Sequence, residues 1–144
     1  MKFTGHYIIT VFLTLLISII FDYRIGILIG LAHFIPSIDW VMKRLDFFYH
    51  HHRSLLHNIF VIPLSYIIFF LFTKEHIISI FCALSASLHI LMDYLDVVGR
   101  GIALFFPFSK KRYKLPLLSE AIENIVINLA MVGTMVICVI LVIK

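Results

Sequence analysis

The sequence predicts an all-α fold, a multi-pass membrane bundle of about five transmembrane helices forming a single domain over residues 1–144. Three observations carry that expectation. The chain is 62% hydrophobic and 14% charged, and its mean hydropathy of +1.06 lies outside the range of soluble domains. Its apolar residues gather into runs close to a bilayer span, about 17 to 25 residues of helix. Histidines and carboxylates, costly to bury in lipid without a partner, collect at one end of the fold-back that these runs imply.

The runs extend from Phe3 to Phe21, Ile25 to Met42, Leu55 to Phe72, Ile77 to Val98 and Ala121 to Ile143. Each is expected to be helical, because lipid tolerates no unpaired backbone groups and none of the runs alternates as a barrel strand does. Met1-Lys2 ahead of an apolar stretch resembles a signal peptide, but Asp22-Tyr23-Arg24 stands where a small-residue cleavage site would be, so the segment is expected to be retained. The connections Asp22 to Arg24 and Thr73 to His76 are short enough to make neighbouring helices antiparallel. Pro36 interrupts the second run and can free backbone groups around a cavity. Between the fourth and fifth runs, Phe105-Phe106-Pro107-Phe108 is too short to span and reads as an interfacial segment.

Five spans place Lys2, Lys43, Arg44, Arg53, Arg100, Lys110, Lys111, Arg112 and Lys114 on one side, nine of the twelve cations. The positive-inside rule makes that side cytoplasmic and the location an inner or plasma membrane. These cations do not interleave with polar, exposed sequence, which argues against a nucleic-acid surface. Cys82 and Cys138 lie in apolar stretches without metal-finger or CxxC spacing, which indicates neither a disulfide framework nor a thiolate zinc site.

The same side collects the chemistry. His89 and Asp93 are four apart, with Asp96 three further on, so all three project from one helical face. Such a pair can give a nitrogen and an oxygen to one ion, or the acid can orient the imidazole. In the histidine-dense stretch His50 to Asn58, HRxxxH spacing favours His52 and His57 as ligands and puts Arg53 and His57 on a shared helical face. Arg53 reads either as a snorkelling cation or as a clamp on a phosphoryl or carboxylate oxygen. Asp39 is hard to explain as packing and could bridge two ions. His6 opens the first helix. Asp96, Glu120 and Glu123 are further candidate ligands, the glutamates also suiting a helix N-terminus. His33, mid-run, is either a core histidine or a deeper ligand, and His76 is expected to be solvated in a turn on the opposite side. Lys110, Lys111, Arg112 and Lys114, beside the interfacial aromatics, would anchor the chain or hold an anionic headgroup.

In order, Gly5-His6, PxxD at Pro36 to Asp39, HRxxxHN at His52 to Asn58, and HxxxD at His89 to Asp93 followed by Gly99 and Pro107-Phe108-Ser109 resemble the YdjM-like membrane-bound metal-dependent hydrolases, also described as LexA-regulated inner membrane proteins. A fainter similarity is to zinc-dependent phospholipase C and P1-type nucleases, carried by His6, Asp39, His52, His89 and Asp93. The resemblances imply a multi-pass membrane protein with a metal site and a phosphoester substrate. Ser37 stands where the family motif commonly has its first acid, so any ligand role there is lost or passed to Glu120 or Glu123.

The expected metal ligands are therefore His6, Asp39, His52, His57, His89 and Asp93, holding one or two divalent ions, zinc first and manganese or iron next. The expected reaction is hydrolysis of a phosphoester, plausibly in a phospholipid, with Asp39, Arg53 and His57 in the reacting centre and Arg53 with Lys110, Lys111, Arg112 and Lys114 on the headgroup. Two other classes compete: a non-catalytic metal-binding scaffold, and a metal or proton transporter. The second is weakened by the few ionisable groups on the opposite side.

Overall fold

A computed structural model describes residues 3–38, 56–95, 101–115 and 120–143, omitting among them the side chains at 3, 4, 6, 120, 123 and 141–143. It contains five α-helices: α1 Phe3–Ile20, α2 Tyr23–Phe34, α3 Val61–Thr73, α4 His76–Leu95 and α5 Glu120–Ile143. In space they run α3, α4, α2, α1, α5, each packed on the next. The all-helical expectation holds, and among the described residues the one pairing of extended backbone is an isolated antiparallel bridge between Ile102 and Tyr113. By length and composition α4 could cross a membrane, whereas the apolar stretches Tyr7–Ile20, Tyr23–Ser37, Val61–Thr73 and Asn124–Ile140 are shorter.

Local chemistry sets the helix ends. Asp22 caps α2, its Oδ1 accepting the Arg24 N–H at 2.6 Å. Pro36 lacks an N–H, so α2 stops at Phe34 and gives way to one 3-10 turn over Ile35–Ser37; Ile38 is again helical, and the rest of the run to Met42 lies outside the described residues. Lys74 adopts the left-handed conformation at the end of α3, with φ of 59°, and its N–H returns to the Phe70 carbonyl. Only Lys74 and Glu75 separate α3 from α4, so these helices are antiparallel as expected. The third helix starts at Val61 and not at Leu55. Ahead of it, the Asn58 side chain accepts the Phe60 N–H at 2.9 Å and holds residues 56–60 in turns.

Small residues let the helices approach. A Cβ on Gly26 would fall on the Thr14 carbonyl and the Ser18 backbone, and one on Gly30 would fall on the Thr14 side chain, so α1 and α2 meet along a small-xxx-small seam. The buried face of α4 carries Ser79, Cys82, Ser85 and Ala86 ahead of His89 and Asp93. One apolar cluster joins Ile29, Ala32, Phe69 and Cys82 across α2, α3 and α4. A second joins Val61, Ala86, Ile90 and Ile102, fastening the 101–115 loop against α3 and α4.

Polar side chains share the interior with these apolar clusters, and large apolar side chains cover much of the outside. His33, Ser65, Ser79, His89 and Asp93 are buried, while Phe72, Ile77, Leu129 and Met135 are more than 60% exposed.

Candidate metal centre

His89 and Asp93 lie one turn apart on the buried face of α4, each 1% exposed. Their four-residue spacing aligns them on one helical face, as the sequence indicated. His57 joins them from the turn before α3, 4% exposed. Its conformation was not legible: His57 lies in a bend, so no helical face carries it alongside Arg53.

Three features hold that turn against α4. Asn58 closes it, as described above. The Ile59 N–H donates to the Leu104 carbonyl at 3.0 Å, tying it to the 101–115 loop. The Leu115 N–H donates to the Tyr94 carbonyl at 3.0 Å, tying that loop to the end of α4. Residues 56–60 and the last two turns of α4, which supply the triad, are thus fastened to one loop.

Within the triad, Asp93 Oδ2 lies 3.1 Å from His57 Nε2 and 3.7 Å from His89 Nε2. The two imidazole rings are 5.4 Å apart at an interplanar angle of 67°. One carboxylate oxygen therefore faces two ring nitrogens in a buried setting. Lone pairs on all three atoms would repel, so the arrangement calls for at least one shared proton, or a cation, among them. Zinc bonds of about 2.0 to 2.2 Å set tetrahedral ligand atoms roughly 3.4 Å apart, and the two separations from Asp93 Oδ2 bracket that spacing. One ligand atom from each of the three residues falls within 4.8 Å of the others, so the donor set and its spacing fit a divalent ion.

His33 extends the row. It is fully buried on α2, with its ring 5.0 Å from that of His89. Its Nδ1 lies 3.0 Å from the Ser85 carbonyl, which can only accept, so Nδ1 bears the hydrogen. Ser85 Oγ donates to the Ile29 carbonyl at 3.0 Å, so one serine clamps α2 to α4 twice. Sequence reasoning left His33 between core and ligand and missed Ser85, because both hydrogen bonds run to backbone carbonyls of distant segments, which leave no signal in sequence.

Of the six expected ligands, His57, His89 and Asp93 meet. Asp39 and His52 lie outside the described residues, as do Arg53 and Asp96, and so do the side chains of His6, Glu120 and Glu123. Ser37 is buried, at 4% exposure. Lys110, Lys111, Arg112 and Lys114 are exposed along the 101–115 loop. His76 corrects one expectation. It opens α4 rather than sitting in a turn, and though exposed it is held: Nδ1 is 2.7 Å from the Tyr66 hydroxyl and the ring stacks 4.6 Å from Phe70. Its apolar neighbours offer a flat face, and a solvated imidazole gains by stacking on it.

No curated protein and no solved structure matches the chain. The model of the YdjM inner membrane protein family matches it over residues 1–143, a description that names a membrane and no reaction. With nearly the whole sequence covered, from the start of α1 to the end of α5, the chain belongs to the YdjM inner membrane protein family.

Proposed function

We propose that this protein is a multi-pass membrane hydrolase that binds a divalent metal, zinc first, at His57, His89 and Asp93 and cleaves a phosphoester on the cytoplasmic side. The observation that carries the reading is the buried convergence of two imidazoles on one carboxylate oxygen. The multi-pass arrangement draws support from the apolar outer faces of the helices and the buried polar groups between them. The cytoplasmic assignment draws on the charge asymmetry of the sequence.

A divalent ion at this centre would supply a Lewis acid and a bound water with a pKa near about 7. The chain's own residues divide the remaining work. Asp93 supplies negative charge and orients both rings through Oδ2. His57 and His89 present ring nitrogens toward it; with Nε2 committed to the ion, His57 keeps only Nδ1 for a proton, and any proton exchange with substrate or water is assigned to that atom. Ser85 fixes the His33 ring that packs edge-on against His89, which limits rotation of the second ligand. Arg53 is assigned to the charge that develops on phosphorus, and Asp39 to a further carboxylate ligand, which would bridge only if a second ion were bound. His6, His52, Asp96, Glu120 and Glu123 are assigned as remaining candidate ligands.

The burial of all three triad side chains favours one competing reading, a metal-binding scaffold without turnover. Metal analysis of the purified protein, together with hydrolysis of a phosphoester and a phospholipid, separates the two. Bound metal with turnover that is lost on chelation and regained with zinc supports the hydrolase. Bound metal with no turnover supports the scaffold, and metal flux in proteoliposomes would replace both with a transporter. Asp39→Asn and His89→Ala are each expected to lower metal content, and His76→Ala to leave it unchanged. Equal loss in all three would mean the site is wrongly placed.

A further inference from the structure

The loop that fastens the triad has a second face. Its arms are held by the reciprocal backbone hydrogen bonds between Ile102 and Tyr113, at 3.0 and 2.9 Å. Gly101 makes the pairing possible, because its φ of +76° suits glycine and a Cβ there would lie 2.7 Å from the Tyr113 carbonyl oxygen. Buried Ile102 and Ala103 anchor the base. The tip is the reverse: Phe108 is 84% exposed and Phe105 43%. Immediately after the tip come Lys110, Lys111, Arg112 and Lys114, all exposed.

Between this tip and the start of α3 runs an apolar groove of about 270 Å³. Phe60, Val61, Leu64 and Phe108 supply its apolar walls, and Leu56 and Asn58, the neighbours of His57, line the same groove. Phe60 and Phe108 meet edge to face across it, with ring centroids 5.6 Å apart. An apolar trough whose Phe108 wall is followed two residues along the chain by four exposed cations matches an amphiphile that has a tail and an anionic head. A soluble anion would have no use for the trough. A zwitterionic lipid would leave four cations in five residues without a matching net charge.

We propose that this groove binds an acyl chain of an anionic glycerophospholipid, with its headgroup phosphate held by Lys110, Lys111 and Lys114. The inference deepens the hydrolase reading by naming the substrate class. It rests on that reading only for the lipid being cleaved, and not for the lipid being bound.

The test is made on the full chain in chelator, so that lipid binding is read apart from metal. The protein is reconstituted in nanodiscs of equal phosphatidylglycerol and phosphatidylcholine, released, and its retained lipids counted by native mass spectrometry. Wild type is expected to retain phosphatidylglycerol over phosphatidylcholine. The variant K110Q/K111Q/K114Q, altered only at exposed positions, is expected to lose that preference by about tenfold or more, given a several-fold effect per lysine near an anionic surface. Leu64→Trp, which fills the trough, is expected to lower retention of both lipids.

Equal retention of the two lipids by wild type, or an undiminished preference in the lysine variant, would overturn the proposal. So would displacement of the lipid by millimolar inorganic phosphate, which would make the cationic rim a site for free phosphate. Asp93→Asn is expected to keep the lipid preference while losing metal, so a failure of the metal centre and a failure of the lipid site are told apart.

Discussion

Asp93→Asn is expected to empty the metal centre. The substitution keeps the size and one oxygen of the side chain but removes the charge that faces both His57 and His89. Residues that only support a metal ligand typically cost about 10- to 100-fold in affinity, and loss of the central ligand charge is expected to exceed the upper end of that range. Thermal unfolding gives a second readout. An ion present at about 100 times its dissociation constant stabilises the folded state by about 2.7 kcal/mol, so zinc should raise the Tm of the wild type and leave that of the variant in place. Titration with zinc, followed by both measurements, checks the expectation. A variant that still binds zinc tightly, or that melts higher when zinc is added, would remove Asp93 from the centre.

The second large effect is on packing. Gly26→Ala and Gly30→Ala look equivalent in sequence, yet their surroundings differ. The added carbon at Gly30 meets only the Thr14 side chain, so Thr14→Ala removes the offending Oγ1 and leaves the Thr14 Cβ at 3.2 Å. At Gly26 it meets the Ser18 hydroxyl and, beyond it, the Thr14 carbonyl oxygen and the Ser18 amide nitrogen, which no side-chain truncation can move. Overpacking of this kind costs about 1 to 3 kcal/mol. Both single variants are therefore expected to melt earlier than the wild type in the same detergent. Thr14→Ala is expected to restore most of the Gly30→Ala loss and little of the Gly26→Ala loss. Equal rescue of the two would mean that α1 and α2 do not meet along this seam.

The residues show which kinds of structure a sequence exposes. His89 and Asp93 were legible as a pair because helix geometry alone places side chains four apart on one face, whatever surrounds them. His57 was legible as a residue but not in its setting. Helical spacing with Arg53 was the natural reading, whereas the Asn58 side chain captures a backbone N–H and bends the chain before α3 begins. Pro36 correctly marked the break in α2, since a missing N–H is a local fact.

Non-local contacts were less accessible. The aromatic and basic composition of residues 105–114 signalled an interface, but the pairing of Ile102 with Tyr113 depends on two backbone segments eleven residues apart with no strand-like alternation between them. The clamp from Ser85 to Ile29 and His33 spans more than fifty residues and uses a backbone carbonyl, which carries no signature in sequence. The stacking of exposed His76 on Phe70 is likewise non-local, because Phe70 belongs to the preceding helix and only the tight turn at Lys74 folds it back beneath the imidazole.

The central claim is that His57, His89 and Asp93 jointly hold one divalent ion. X-ray absorption at the zinc edge of the purified, zinc-loaded protein tests it most directly. The account predicts tight retention through dialysis and a first shell of nitrogen and oxygen at about 2.0 to 2.2 Å, with outer-shell scattering from two or more imidazoles. That imidazole scattering should drop in His57→Ala and in His89→Ala. Zinc that dialyses away, or a shell of oxygen alone that is unchanged in both variants, would contradict it.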